Sequence, residues 1–174
     1  MEDIFENLLF QAQEPYPEIV VSEKNYNYAS MISEAYAGRE SELTAVLQYS
    51  FQHFIKDESD ERAAAALMKI GIVEMHHLEI LGEMLYKLGS TPIFAGRRRQ
   101  IYSASAVNYE TDLVKLLNID IENEYAAIDY YRYINARIDD EGINRVIDRI
   151  IEDEKTHIKV LKVLLEYASS KGNA

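Results

Sequence analysis

Glu74-Met75-His76-His77-Leu78-Glu79-Ile80-Leu81 and Glu154-Lys155-Thr156-His157-Ile158-Lys159-Val160-Leu161 are one pattern used twice. Each has a Glu, a His three residues on, and apolar residues continuing at helical spacing. Three residues is just under one helical turn, so Glu and His project from the same side. Both pairs fall on apolar stripes: Ala63, Leu67, Ile70, Leu78, Leu81 and Leu85 in the first case, Ile143, Ile147, Ile150, Ile158, Leu161 and Leu165 in the second. Each motif also has an upstream companion. ELTAVLQY (42–49) and EYAAIDYY (124–131) share a Glu, small or apolar neighbours, and a Tyr seven residues later. The Glu-to-Glu step is 32 residues in the first half and 30 in the second. The chain thus reads as a helical hairpin used twice, facing itself across a pseudo-two-fold axis.

The surrounding sequence fits that reading. Only 3 Pro and 7 Gly occur in 174 residues, most of them outside the periodic stretches, and apolar residues recur at three- and four-residue steps. The spacing predicts helices over about 28–56, 60–88, 109–138 and 143–169, with Ser59 or Asp60 capping the second. Short links join helices one and two and helices three and four. A connection of roughly 20 residues, 89–109, joins the pairs. The expected fold is all-α: a four-helix bundle with one long crossover between helices two and three. The expected organisation is an N-terminal arm (1–28) with a short helix before Pro15, a bundle (29–169) and a flexible tail (170–174). No short period supports an α-solenoid.

Composition narrows the function. A formal charge of −12 argues against gripping nucleic-acid phosphates or an anionic membrane. Zero Cys removes disulfides, Cys-ligated zinc, Cys-held iron–sulfur clusters and thiol catalysis. The start, MEDIFENLLF, reads as neither a signal peptide nor a membrane span, and the expected compartment is the cytoplasm.

The informative residues are carboxylates on the wrong face. Glu42, Glu74, Glu124 and Glu154 all point at the core, and no Lys or Arg lies on the four stripes. A buried unpaired carboxylate costs several kcal/mol. Two divalent cations would neutralise the four, and His77 and His157 would complete the ligand set. Oxygen-rich ligands with one imidazole per ion suit iron or manganese better than zinc. With 20 Glu and 4 His, chance supplies about half of one Glu-x-x-His, whereas two occur here, each matched to an upstream Glu.

One Glu from each of two helices plus Glu-x-x-His from each of the other two resembles the ferritin-like dimetal carboxylate proteins, over about residues 28–168. The detail is similar to rubrerythrin-type and bacterioferritin-type sequences. That resemblance implies a ferritin-like bundle holding two iron or manganese ions. Glu42 and Glu124 match the terminal carboxylates, Glu74 and Glu154 the bridging ones, and His77 and His157 the capping imidazoles. Tyr49 and Tyr131 match tyrosines near the site, and Asp153 an acidic residue preceding the second bridging Glu. The chain departs from rubrerythrins in placing Ala127 where they carry a further Glu, and in lacking the four Cys of a rubredoxin domain. Bacterioferritins carry a short fifth helix, whereas the 17 residues given after His157 are expected to be the end of helix four and a tail. The N-terminal arm and the HHLEILGE run resemble manganese-catalase-like and spore-coat-associated relatives.

Other residues are read more plainly. Met75 stands where bacterioferritins ligate haem, but is expected to be a packing residue, with no haem bound. His76 points about 100° away from His77 and is expected at the surface or an interface. His53 is expected to be a satisfied polar residue, Arg97–Arg99 a solvated or interface segment, and most of the 13 Tyr amphipathic packing. The expected function is an oxidoreductase that reduces or disproportionates peroxide, in oxidative-stress defence. Peroxide or dioxygen is the small-molecule substrate, and an iron peroxidase cycle would need an external electron-donor protein. The expected assembly is a homodimer, with neither nucleic acid nor membrane as partner. The alternatives are a ferroxidase or iron-storage protein, and a coat or scaffold protein whose metals are structural.

Overall fold

Residues 7–171 are described by a computed structural model. Five α-helices follow in order: α1 (Tyr26–Ala37), α2 (Glu42–Lys56), α3 (Glu61–Lys87), α4 (Leu113–Asn135) and α5 (Glu141–Lys171). α2 packs along α3 and α4 along α5 as two hairpins, while α1 lies on α3 and also touches α2 and α4. The crossover carries two short 3-10 turns, Arg97–Arg99 and Ala104–Ala106. This is the all-helical, ferritin-like bundle with a long crossover that the sequence predicts. None of the helices among the described residues is long and apolar enough to cross a membrane.

The helix boundaries follow local chemistry. Asn25, Ser41, Asp60 and Asp112 each accept hydrogen bonds from backbone N–H groups in the first turn of α1, α2, α3 and α4. Asp112 therefore starts α4 at Leu113, four residues later than periodicity predicts, and the helix ends at Asn135 rather than near Ile138. α5 starts at Glu141 and continues through Ser170 and Lys171, two residues expected in a flexible tail. Residues 172–174 lie outside the described residues. So does the start of the short helix expected before Pro15, and residues 7–14 are not helical.

The predicted first helix, 28–56, is two helices. Gly38 is extended (φ −77°, ψ −165°), and the Ser41 hydroxyl bonds the Gly38 carbonyl at 2.9 Å while capping α2. Glu34 then turns its carboxylate to the crossover, accepting from Arg97 N at 2.7 Å. A Cβ on Gly96 would stand 2.8 Å from Glu34 Oε2 and 3.0 Å from Gly38 Cα, so two glycines let the crossover seat against the break. Tyr36 stacks on Phe94 there, with ring centroids 5.6 Å apart.

The interior is two apolar halves with a polar waist. One half gathers Ile32, Tyr36, Leu81, Leu85, Tyr131, Ile147 and Ile150. The other gathers Tyr49, Leu67, Ile70, Leu116, Leu117, Leu161 and Leu164. Where these sets meet, α2 to α5 carry the buried Glu42, Glu74, His77, Glu124, Glu154 and His157. Burial of both halves packs the bundle on either side of the waist.

Candidate metal centre

Two groups of four side chains converge at the waist: Glu42, Glu74, His77 and Glu154, and Glu74, Glu124, Glu154 and His157. Within each, one ligand atom per residue lies within 4.8 Å of every other. Glu74 and Glu154 belong to both groups, and each group has its own Glu and its own His. Both imidazoles turn Nδ1 inward. His77 Nδ1 is 3.0 Å from Glu74 Oε2, 3.4 Å from Glu154 Oε1 and 3.6 Å from Glu42 Oε2. His157 Nδ1 is 2.9 Å from both Glu154 Oε2 and Glu74 Oε1, and 3.8 Å from Glu124 Oε1. One N–H cannot serve two carboxylates, so Glu74 Oε1 and Glu154 Oε1 are left buried without a hydrogen bond. The waist holds more lone pairs than protons, which is the condition a pair of cations relieves. Hard oxygen donors with one nitrogen per group fit manganese or iron.

Electrostatics follow from burial and crowding. Burial, then the Glu74 charge, pushes Glu42 well above the usual carboxylate range. Burial and the charges of Glu74 and Glu154 do the same to Glu124. Glu74 goes the other way: burial opposes ionisation, but the charge and hydrogen bonds of His157 and His77 outweigh it. Burial disfavours charge on both imidazoles, yet the facing carboxylates outweigh it and raise His77 and His157 well above the usual range. Without metal, protons and imidazolium charge hold the waist together.

The flanking tyrosines cross over. Tyr49 on α2 donates to Glu124 Oε1 on α4 at 2.5 Å, and Tyr131 on α4 donates to Glu42 Oε1 on α2. Each ties the Glu of the opposite hairpin that belongs to only one of the two groups. Burial first, and the nearby carboxylate charges second, keep both phenols protonated and so able to donate. Asp153 accepts at Oδ2 from the Tyr16 hydroxyl and lies 3.1 Å from His77 Nε2.

A cavity of about 480 Å³ reaches the waist between α2 and α4. Glu42, Glu74, Glu124 and Glu154 form its floor side, and Ala45, Ala126 and Ala127 its walls. Ala127, where a rubrerythrin would place a carboxylate, leaves open space. Arg39, Glu40 and Ser41, in the break between α1 and α2, also line it.

Two sets of polar residues at the site were not singled out by sequence. Arg149, buried, pairs with Asp153 at 2.6 Å, and its guanidinium lies 4.2 Å above the Tyr16 ring. The i, i+4 spacing of Arg149 and Asp153 was the available signal; nothing in the aperiodic arm pointed to Tyr16. Asp120, one turn before Glu124, is buried and accepts from Gln48 Nε2 at 2.8 Å and Gln52 Nε2 at 2.9 Å. Its place on the Glu124 face made it legible by the stripe argument.

The remaining candidates lie away from the waist. Met75 is 55% exposed, so within the chain it is a surface residue rather than core packing. His76 is exposed and edges onto Tyr16, and His53 Nδ1 pairs with the Ala64 carbonyl at 3.1 Å. Arg97–Arg99 are exposed.

Fold and waist together define the ferritin-like dimetal carboxylate class. Residues 16–107 match the family model of manganese-containing catalases, and the chain belongs to that family. Over 178 residues it is 25% identical to a probable manganese catalase of Clostridium acetobutylicum, covering 90% of this chain and 78% of that protein. It is 32% identical over 135 residues to a bacterioferritin of Desulfovibrio desulfuricans, covering 75% of this chain and 71% of the relative. The manganese catalase KatB of Anabaena PCC7120 shares the fold, with a TM-score of 0.82 at 24% identity over 93% of this chain and 81% of that one. The family match spans the first hairpin; Glu124, Glu154 and His157 lie beyond it and repeat its pattern.

Proposed function

We propose that this protein is a dinuclear metal enzyme that disproportionates hydrogen peroxide, with two manganese ions, or iron in their place, held by Glu42, Glu74, His77, Glu124, Glu154 and His157. The observation that carries the reading is the pair of four-residue groups sharing Glu74 and Glu154. Family membership favours manganese. Two such ions supply reversible two-electron chemistry, so peroxide serves in turn as oxidant and reductant: 2 H₂O₂ → 2 H₂O + O₂. The cycle needs no thiol, and the chain has none.

The chain's own groups do the rest. Glu74 and Glu154 hold both positions together, and Glu42–His77 and Glu124–His157 complete one each. Tyr131 and Tyr49 fix the terminal carboxylates through hydrogen bonds, which limits reorganisation during turnover. The apolar halves flank the site, and the cavity beside Ala127 admits a small substrate. The proposed assembly is a homodimer. Ile72, Met75 and Tyr86 on α3 are large apolar residues 60%, 55% and 74% exposed, surface that a second copy would cover.

The test is oxygen evolution from peroxide by the manganese-loaded protein with no reductant present. One O₂ per two peroxides is expected. Peroxide loss only with an added reductant would make it a peroxidase, and bound metal without turnover would make it a scaffold. The bacterioferritin relation supports ferroxidase chemistry as the second reading; it predicts iron uptake far beyond two per chain inside a large shell.

A further inference from the structure

The pseudo-two-fold that relates the two Glu-x-x-His motifs is broken one residue before each. Asp153 precedes Glu154, whereas the equivalent position before Glu74 is Val73. The consequence is visible at the imidazoles. His77 turns Nε2 to Asp153 Oδ2 at 3.1 Å. His157 Nε2 is buried and has no hydrogen-bond partner among the described residues.

Asp153 is itself fixed. The Ala12 N–H donates to its Oδ1 at 2.6 Å, and Tyr16 donates to its Oδ2. Arg149 Nη1 lies 2.6 Å from Oδ1, and the same guanidinium donates to the carbonyls of Ala12 and Glu14 at 2.8 and 2.6 Å. The N-terminal arm is therefore a clamp on the outer nitrogen of one imidazole only. An acceptor on that nitrogen orients a ligating histidine and raises its basicity, and losing such a partner lowers metal affinity about 10- to 100-fold.

We infer that the two metal positions are unequal: the Glu42–His77 position, braced by Asp153 and the arm, fills first and holds its ion, while the Glu124–His157 position fills second and exchanges it. This rests on the two-metal reading above. Tyr16, Arg149 and Asp153 are positioning residues in this scheme, and Val73 sets the asymmetry by what it lacks.

Anaerobic titration of the metal-free full chain with Mn(II), against a competing chelator and followed by electron paramagnetic resonance, tests the inference. Two dissociation constants about 10- to 100-fold apart are expected. An uncoupled six-line manganese spectrum should grow up to one equivalent and give way to a spin-coupled spectrum over the second. Tyr16→Phe should weaken the tight constant alone, and Val73→Asp should tighten the weak one. Should Val73→Asp fail to fold, Tyr16→Phe still decides. Two indistinguishable constants with a coupled spectrum from the first addition would overturn the asymmetry alone. Equal weakening of both constants by Tyr16→Phe would also overturn it. A chain that takes up no manganese would overturn both this inference and the reading beneath it.

Discussion

What faces the buried Asp120 decides how it titrates. Asp120 meets only two amides, and burial raises it to about 7 because the Gln52 and Gln48 donors offset desolvation only in part. In the unfolded chain an Asp titrates at about 4. Between about pH 4 and about pH 7 the native state therefore binds the extra proton, and stability falls as pH rises through that window. Asp120→Asn removes the dependence. In thermal unfolding of metal-free protein, the variant should gain on the native chain between about pH 5 and about pH 8; parallel curves would contradict this. At the waist, His77, His157, Glu42 and Glu124 all hold protons more tightly than usual without metal. Loading must displace them, so affinity should rise steeply with pH. Calorimetry in buffers of different ionisation enthalpy should detect proton release on manganese binding, and heats independent of the buffer would argue otherwise. Tyr131→Phe removes a buried donor and should cost about 1–3 kcal/mol in chemical denaturation, because Glu42 Oε1 loses the Tyr131 hydrogen bond.

The elements were legible to the extent that periodicity carries them. α3 and α5 each present one apolar stripe interrupted by Glu and His, and sequence placed both. The break in the first bundle helix escaped because Ala35 before it and Val46 after it stay in helical register, although no apolar residue falls within Gly38–Glu42. α1 ends where Gly38 turns extended and Ser41 caps α2, and that break is held by a long-range contact, Glu34 accepting from the Arg97 N–H of the crossover. The arm escaped for a related reason, since its structure comes from what it touches. Ser22 N bonds Asp140 Oδ2 at 2.8 Å, Lys87 reaches the Ile19 carbonyl at 2.5 Å, and Asn25 N bonds the Leu88 carbonyl at 3.2 Å. At Gly142 a Cβ would stand 2.2 Å from the Val20 carbonyl oxygen. Gly142→Ala thus separates two effects. Helix propensity favours Ala by about 1 kcal/mol, while the clash lifts the arm off α5. Limited proteolysis should cut between residues 15 and 25 faster in the variant, and an unchanged cleavage rate would contradict the arm's docking.

At the scale of the whole molecule, two apolar halves enclose a waist that only ligands or protons can satisfy. The pseudo-repeat makes the six waist residues readable from the amino-acid sequence alone, because a Glu on a core stripe is costly wherever it occurs. It cannot supply Tyr16 or Arg149, which belong to only one half of the repeat. Light scattering should give a particle of twice 20.0 kDa; a monomer would rule out the dimer, and a large shell would favour storage. The most direct test is the metal content of protein purified from its native host, with and without Glu74→Ala and Glu154→Ala together. Two ions per chain of one element, manganese or iron, are expected, with their loss in the double variant. A double variant that keeps two ions per chain would contradict the six-residue site.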